Sequence, residues 1–342
     1  MRLAANLTYQ GAGDLARAAE RLGYAMVLAP EGYRSDAASV LGLVAGQTST
    51  IALASGVMQI PGRPPGMAAL TAATLDALSG GRFRLGLGVS NPDVSQGWYG
   101  VPFDAPLART REYVDIVQRA LTGDPVTFEG RHFRLSAVDG GAPLHLTAPP
   151  RHRIPVYLAA VGPRALRLAG ETADGWIGVF TSPEAVADAL AEIRDGRRSA
   201  GLDMSGFEVL PSLPTAIADD PDTAVDALRG QYVYLLGIGD PDRNFYCALA
   251  RRMGFGDQIT VMRERLAAGD RAGAAAAVPP ELIDRTALVG PVPRIAERMR
   301  AYADAGVTTL GVMVSAAATS LDGRLDILAA AAEALELSGA AG

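Results

Sequence analysis

Short apolar runs alternate with amphipathic helical stretches along the whole chain, and the alternation repeats eight times. The runs are RLAANLTY (2–9), YAMVLAP (24–30), IALASGVMQI (51–60), FRLGLGVS (83–90), IPVYLAAV (154–161), GWIGVF (175–180), FEVLPSLPTAIA (207–218) and TTLGVMV (308–314). Near-continuous apolar strands separated by helices describe parallel strands buried on both faces. Between the first two, Leu15, Ala18, Ala19 and Leu22 fall on one helical face that stops at Gly23, and Ser35 is the expected N-cap of the next helix. The helix over 66–79 ends at Gly80-Gly81, and Leu107, Thr110, Val114, Val117 and Leu121 form a further stripe. Eight such units fit a closed (β/α)8 TIM barrel better than an open doubly wound sheet. Two segments fall outside the pattern: 125–150, with a small hairpin around Glu129-Gly130, and the helical stretch 240–284. Two prolines mark the seventh strand as irregular. With no linker in the composition, one domain over 1–342 is expected.

Every one of the 31 basic residues is arginine. A chain without lysine can form no Schiff base with pyridoxal phosphate and no Walker-type phosphate loop. The net charge of −6, with no basic block, argues against nucleic acid as a partner. Cys247 is the one cysteine, and His132, His145 and His152 lie in one loop-like stretch with poor spacing for zinc. No apolar run approaches the roughly 18 residues of a membrane span, and the first residues lack a signal-peptide core, so a cytoplasmic protein without membrane contact is expected.

Four motifs bear on chemistry. Gly11-Ala12-Gly13 with Glu31 downstream imitates a dinucleotide fingerprint, but the strand before it ends in polar Asn6, Thr8, Tyr9 and Gln10, which suits a first barrel loop instead. ASGVMQIPGRPP (54–65) and GLGVSN (86–91) close the third and fourth strands, on the face where barrels keep their sites. Each is either ordinary barrel structure or backbone laid against a flat ligand. Gly162-Pro163 opens a helix after the fifth strand, where free N–H groups and the helix dipole suit a phosphate.

SGVMQIPGRPPGMAALTAATLDALSGGRFRLGLGVS, VYLAAVGPRALRLAGETADGW and LVGPVPRIAERMRAYADAGVTTLGV together resemble the bacterial luciferase-like superfamily. EGYRSDA (31–37), NPDVSQGWYGVPF (91–103) and NFYCALARRMGF (244–255) are similar to an actinobacterial group in the branch that uses the deazaflavin coenzyme F420. The resemblance implies a ring at the C-terminal mouth of the barrel, backed by a non-prolyl cis peptide matching Gly56–Val57, with Ser55, Met58 and Gln59 beside it. It places ring contacts at Glu31, Val89 and Ser90, and the coenzyme phosphate at Val161, Gly162, Arg164 and Ala165. A homodimer is expected.

Deazaflavin sugar-phosphate dehydrogenases of this superfamily carry a histidine and a glutamate where this chain has Gly32 and Asn91. Neither residue here titrates near neutrality, so sugar-phosphate oxidation is disfavoured. The expected activity is hydride transfer between coenzyme F420 and a small apolar metabolite, at a C=C, C=N or C=O bond. Tyr33, Glu31 and Asn91 are the candidate catalytic residues; Tyr33 is the first choice of proton donor, ahead of Tyr99 and Tyr9, with Asp93 behind them. A reduced-FMN monooxygenase and a non-catalytic cofactor-binding barrel are the alternatives.

Overall fold

A computed structural model describes residues 1–32, 35–136 and 141–342. Eight parallel strands close a barrel among these residues: β1 (Arg2–Asn6), β2 (Met26–Ala29), β3 (Ala52–Ser55), β4 (Phe83–Gly88), β5 (Val156–Ala159), β6 (Gly175–Gly178), β7 (Glu208–Ile217) and β8 (Thr309–Met313). Each pairs with the next in sequence, and β8 closes onto β1 with Arg2 opposite Thr309.

Side chains alternate across the barrel wall as strand geometry requires. Leu3, Ala5, Val27, Ala29 and Leu53 point out to the helix layer. Ala4, Met26, Leu28, Ala54, Tyr157, Ile177 and Leu210 point in and fill the interior. On β4 the outward set is Phe83, Leu85 and Leu87, which leaves Gly86 and Gly88 facing inward. A Cβ on Gly86 would lie 2.0 Å from the Ser55 carbonyl oxygen, so the barrel interior has no room for a side chain there.

The strands are shorter than the apolar runs that announce them, because their ends become the loops of the mouth. Three expectations need correction. Asp36, not Ser35, caps the helix Ala37–Ala45, its carboxylate accepting from Ser39 N. Leu22 is 39% exposed, because the helix Ala12–Arg21 ends before it and Leu22 is only its C-cap. The prolines do not break β7, which runs unbroken for ten residues. Pro211 is the last residue in register with β6 and Pro214 the last in register with β8, so each marks a hand-over between neighbours. After that, residues 215–217 pair with Leu288–Gly290, a short strand the alternation did not foretell.

The hairpin is present, Phe128–Glu129 against Arg134–Leu135, and Glu112 on the barrel helix Pro106–Leu121 anchors its turn by accepting from the amides of Arg131, His132 and Phe133. The stretch after β7 carries helices Pro221–Gly237, Phe245–Arg252, Gly256–Ala267, Arg271–Ala277 and Pro280–Thr286. These pack a second core around Leu228, Tyr232, Leu236, Cys247 and Met262. Gly13 of the fingerprint look-alike packs against Gln47, at 1.8 Å from where its Cβ would stand, so its smallness serves helix packing.

Gly86→Ala should destabilise the fold by roughly 1–3 kcal/mol, the range for overpacking a rigid interior. Gly230→Ala, at an exposed position of the helix Pro221–Gly237 where a Cβ meets no described atom within 4 Å, should instead add about 0.5–1 kcal/mol. Chemical denaturation of the two variants beside the parent protein checks both signs.

Candidate active site

The loops that leave the carboxyl ends of the strands enclose a cavity of about 700 Å³. Its inner wall is drawn from the ends of four strands. Gly56 and Val57 follow β3, Gly88 to Asn91 end β4, Leu158 to Ala160 end β5, and Ile177 and Val179 come from β6. The Gly56–Val57 peptide is cis. The Val57 side chain fills the room that Gly88 leaves, since a Cβ there would stand 2.6 Å from Val57 Cγ2. Beyond the cis peptide, Met58–Gln59 pairs with Leu87–Gly88, which sets Gln59 at the cavity edge.

A buried polar network stands behind this wall. The Glu31 carboxylate accepts from Gln59 N at 2.8 Å and from Arg63 Nη1 at 2.7 Å, with side-chain exposures of 5% for Glu31 and 14% for Arg63. Arg63 reaches on to Asp36 at 2.6 Å. Burial disfavours the Arg63 charge, but the bond and charge of Glu31, with Asp36, outweigh it and raise the guanidinium pKa. Gln59 Nε2 donates to the Glu31 carbonyl oxygen at 3.1 Å, and Ser90 Oγ donates to Gln59 Oε1 at 3.0 Å. Ser90 holds φ +65, a left-handed conformation rare for a serine and typical of residues fixed at functional sites.

At one end, Val161 to Ala165 lead into the helix Pro163–Thr172. Gly162 is its N-cap at φ +85 and offers no side chain to the first-turn N–H groups. Those donors, the helix dipole and Arg164 favour an anion. The opposite wall is apolar and aromatic: Pro106, Leu107, Val94, Tyr234, Ile238, Phe245 and Tyr246. Asn244, 6% exposed, builds much of it. Its Nδ2 donates to the carbonyls of Leu235 and Ile238, and its Oδ1 accepts from the amides of Tyr246 and Cys247, so one side chain ties two lining segments together.

Of the residues expected at the site, Glu31, Gly56, Val57, Gln59, Val89, Ser90, Asn91, Val161, Gly162, Arg164 and Ala165 all line this cavity. Ser55 and Met58 do not. The Ser55 hydroxyl exchanges hydrogen bonds with Gly86 N and O and so locks β3 to β4, while Met58 packs into the core beneath the helices. Asn91 lines the cavity as a helix cap, Oδ1 accepting from Val94 N at 2.9 Å. Tyr33 lies outside the described residues. Tyr99 packs its ring on Gly62 away from the lining, and burial pushes its hydroxyl pKa up, helped by Glu31 and opposed by Arg63. Tyr9 is exposed and also off the cavity. No group of three potential metal ligands occurs among the described residues.

Arg63 and Asn244 were missed by sequence reasoning. Asn244 left a signal: an Asn two residues before Tyr246, at the start of a helix, has the pattern of an N-cap. Arg63 left none, because its partner lies 32 residues away.

The barrel mouth thus joins the ends of four strands to an open helix N-terminus within one cavity. The cavity volume lies within the usual range for small-molecule ligands. The profile of the luciferase-like monooxygenase family matches residues 1–309, and the chain belongs to that family. A Mycobacterium tuberculosis protein, provisionally described as a coenzyme F420-dependent oxidoreductase, is 35% identical over 93% of this chain and 96% of its own length. The 5,10-methylenetetrahydromethanopterin reductase of Archaeoglobus fulgidus is 30% identical over 79% of each chain. Among solved structures, the coenzyme F420-dependent tetrahydromethanopterin reductase from Methanopyrus kandleri superposes with a TM-score of 0.83 at 24% identity, covering 97% of both chains. Kinship thus places the protein among the coenzyme F420-dependent oxidoreductases of the family.

Asn244→Ala should lower stability by about 1–3 kcal/mol, since it strands the Leu235 and Ile238 carbonyls. It should also loosen the aromatic wall, read as faster amide hydrogen exchange over 234–247 with the barrel strands unchanged.

Proposed function

We propose that this protein binds coenzyme F420 and transfers hydride between it and a small, uncharged, apolar metabolite, at a C=C, C=N or C=O bond. The observation that carries this reading is the continuity of one cavity from the wall at Gly56, Val57 and Gly88 to the helix N-terminus at Gly162. When bound, the reduced deazaflavin supplies a hydride and, having carbon in place of the flavin N5, reacts poorly with oxygen. The chain supplies position and a dry environment. Val57, Val89, Ser90 and Gln59 confine the ring from one side, and the amides of Val161, Gly162, Arg164 and Ala165, with Pro163 offering none, receive the phosphate. The opposite wall, with Leu107, Ile238, Phe245 and Tyr246, offers the substrate apolar surface and no lysine or histidine. Arg243, at its edge, is already bonded to Gln96 at 3.0 Å.

Glu31 and Asn91 act as holders in this scheme, each engaged with neighbouring amides. Tyr33 is the proposed proton donor, since a phenol with pKa near 10 stays protonated at physiological pH. A cytoplasmic setting completes the proposal, in keeping with a free and buried Cys247.

Parallel titration with coenzyme F420, FMN and NADPH tests the reading; binding of FMN with none of the deazaflavin overturns it in favour of a reduced-flavin monooxygenase, whereas tight deazaflavin binding without turnover on any electrophile favours the non-catalytic barrel. Gly162→Val should weaken F420 far more than Arg164→Ala, because the strained backbone carries the anion site and an exposed charge is worth only about 0–1 kcal/mol. Tyr33→Phe should cut turnover about a hundredfold, or ~2.7 kcal/mol, with coenzyme affinity unchanged.

The proposal includes a homodimer, formed through helices Ala37–Ala45 and Pro65–Ser79. Leu43, Met67, Leu70 and Leu78 are exposed there, and Gly42 stands mid-helix with no described atom within 4 Å of its would-be Cβ. Light scattering should give twice 35.4 kDa for the parent, and the monomer mass for Met67→Glu with Leu70→Glu.

A further inference from the structure

The polar network behind the cavity wall has a direction that follows from donor and acceptor chemistry alone. A backbone carbonyl only accepts, so the end of the Gln59 amide that meets the Glu31 carbonyl at 3.1 Å must be Nε2. The other end, Oε1, therefore faces Ser90 and cannot donate to it. The single proton of the Ser90 hydroxyl is committed to Gln59 at 3.0 Å, and what remains for the cavity is a lone pair. Turning the amide over would set two carbonyl oxygens against each other. The amide is further held in place because Gln59 N donates to the Glu31 carboxylate, which Arg63 in turn clamps at 2.7 Å.

We propose that Arg63, Glu31 and Gln59 are positioning residues whose joint effect is to present Ser90 Oγ to the cavity as a hydrogen-bond acceptor for the N–H of the coenzyme ring's pyrimidine edge. This rests on the coenzyme reading above and adds to it an assignment for four residues. Glu31 then owes its place at the site to holding the Gln59 segment, itself gripped by Arg63. The left-handed φ of Ser90 is part of the same device: it brings the hydroxyl of the residue after Val89 back toward Gln59. An acceptor here matches a ring edge whose N–H lies between two carbonyls, and it would repel a ring that showed only acceptors.

The test measures dissociation constants by fluorescence for three probes: coenzyme F420, its core lacking the phosphate and glutamates, and that core methylated at the pyrimidine nitrogen. Ser90→Ala and Gln59→Leu should each weaken F420 and the unmethylated core by the same factor, about fivefold to tenfold for one hydrogen bond. The double variant should be no weaker than either single one, because both remove the same bond. The methylated core should bind parent and variants alike. A role confined to fold stability would weaken all three probes together and lower the melting temperature. Arg63→Lys, which keeps the charge and loses the fork, should fall between the parent and Gln59→Leu. Unchanged affinity in Ser90→Ala, a loss seen with F420 but not with its core, or multiplicative effects in the double variant would each overturn the assignment. Failure of the parent protein to bind F420 at all would instead sink the coenzyme reading itself.

Discussion

The interior of a closed ring of eight parallel strands is too narrow for a full side chain at every inward position, and the rest of this molecule is arranged around that limit. Seven residues from Ala4 to Leu210 fill the ring. Where β4 would add two more, it has Gly86 and Gly88, and the space is taken by the Ser55 carbonyl and the Val57 side chain. That exchange lets the chain after β3 fold in against β4, pairing Gln59 with Gly88. From there Gln59 reaches both Glu31 and Ser90, so a packing constraint inside the barrel becomes a shaped wall at its mouth.

The other wall comes from a different core. The segment after β7 buries its own apolar residues, Tyr232 among them with its hydroxyl 2.6 Å from Thr286 Oγ1, and lends only its edge to the cavity. Asn244 couples that edge to the core behind it. The division has a physical logic: the barrel half is held by close packing at Gly86 and Gly88 and by the Glu31–Gln59–Ser90 bonds, whereas the inserted half presents apolar side chains whose contacts are set one residue at a time. Variation in what the cavity accepts is therefore expected on the inserted side.

The architecture was legible because parallel strands buried on both faces leave continuous apolar runs, and eight of them admit few topologies. The prolines of β7 misled because propensity describes a strand in isolation, while register decides where a missing N–H matters. Ser35 and Asp36 are both good caps, and only the path of the chain selects between them. At the site, motifs at strand ends pointed to the correct loops, yet not to which alternate residue turns inward; hence Ser55 and Met58 stood beside true lining residues and faced elsewhere. Arg63 was invisible because a salt bridge between loops separated by 32 residues has no local trace.

Gly32 lies at the cavity edge in a short bridge with Ser35, and no described atom comes within 4 Å of where its Cβ would stand. Asn91, across β3 and β4 from it, needs only its oxygen to cap a helix, a duty a carboxylate performs equally well. These are the two positions at which the resembling sugar-phosphate dehydrogenases keep their titrating pair. Among the described residues nothing meets a first side-chain carbon at 32, and a carboxylate at 91 would retain the cap. In evolutionary terms, the two substitutions that would introduce a titrating pair fall on a turn and on a helix cap at the mouth, outside the packed interior of the barrel.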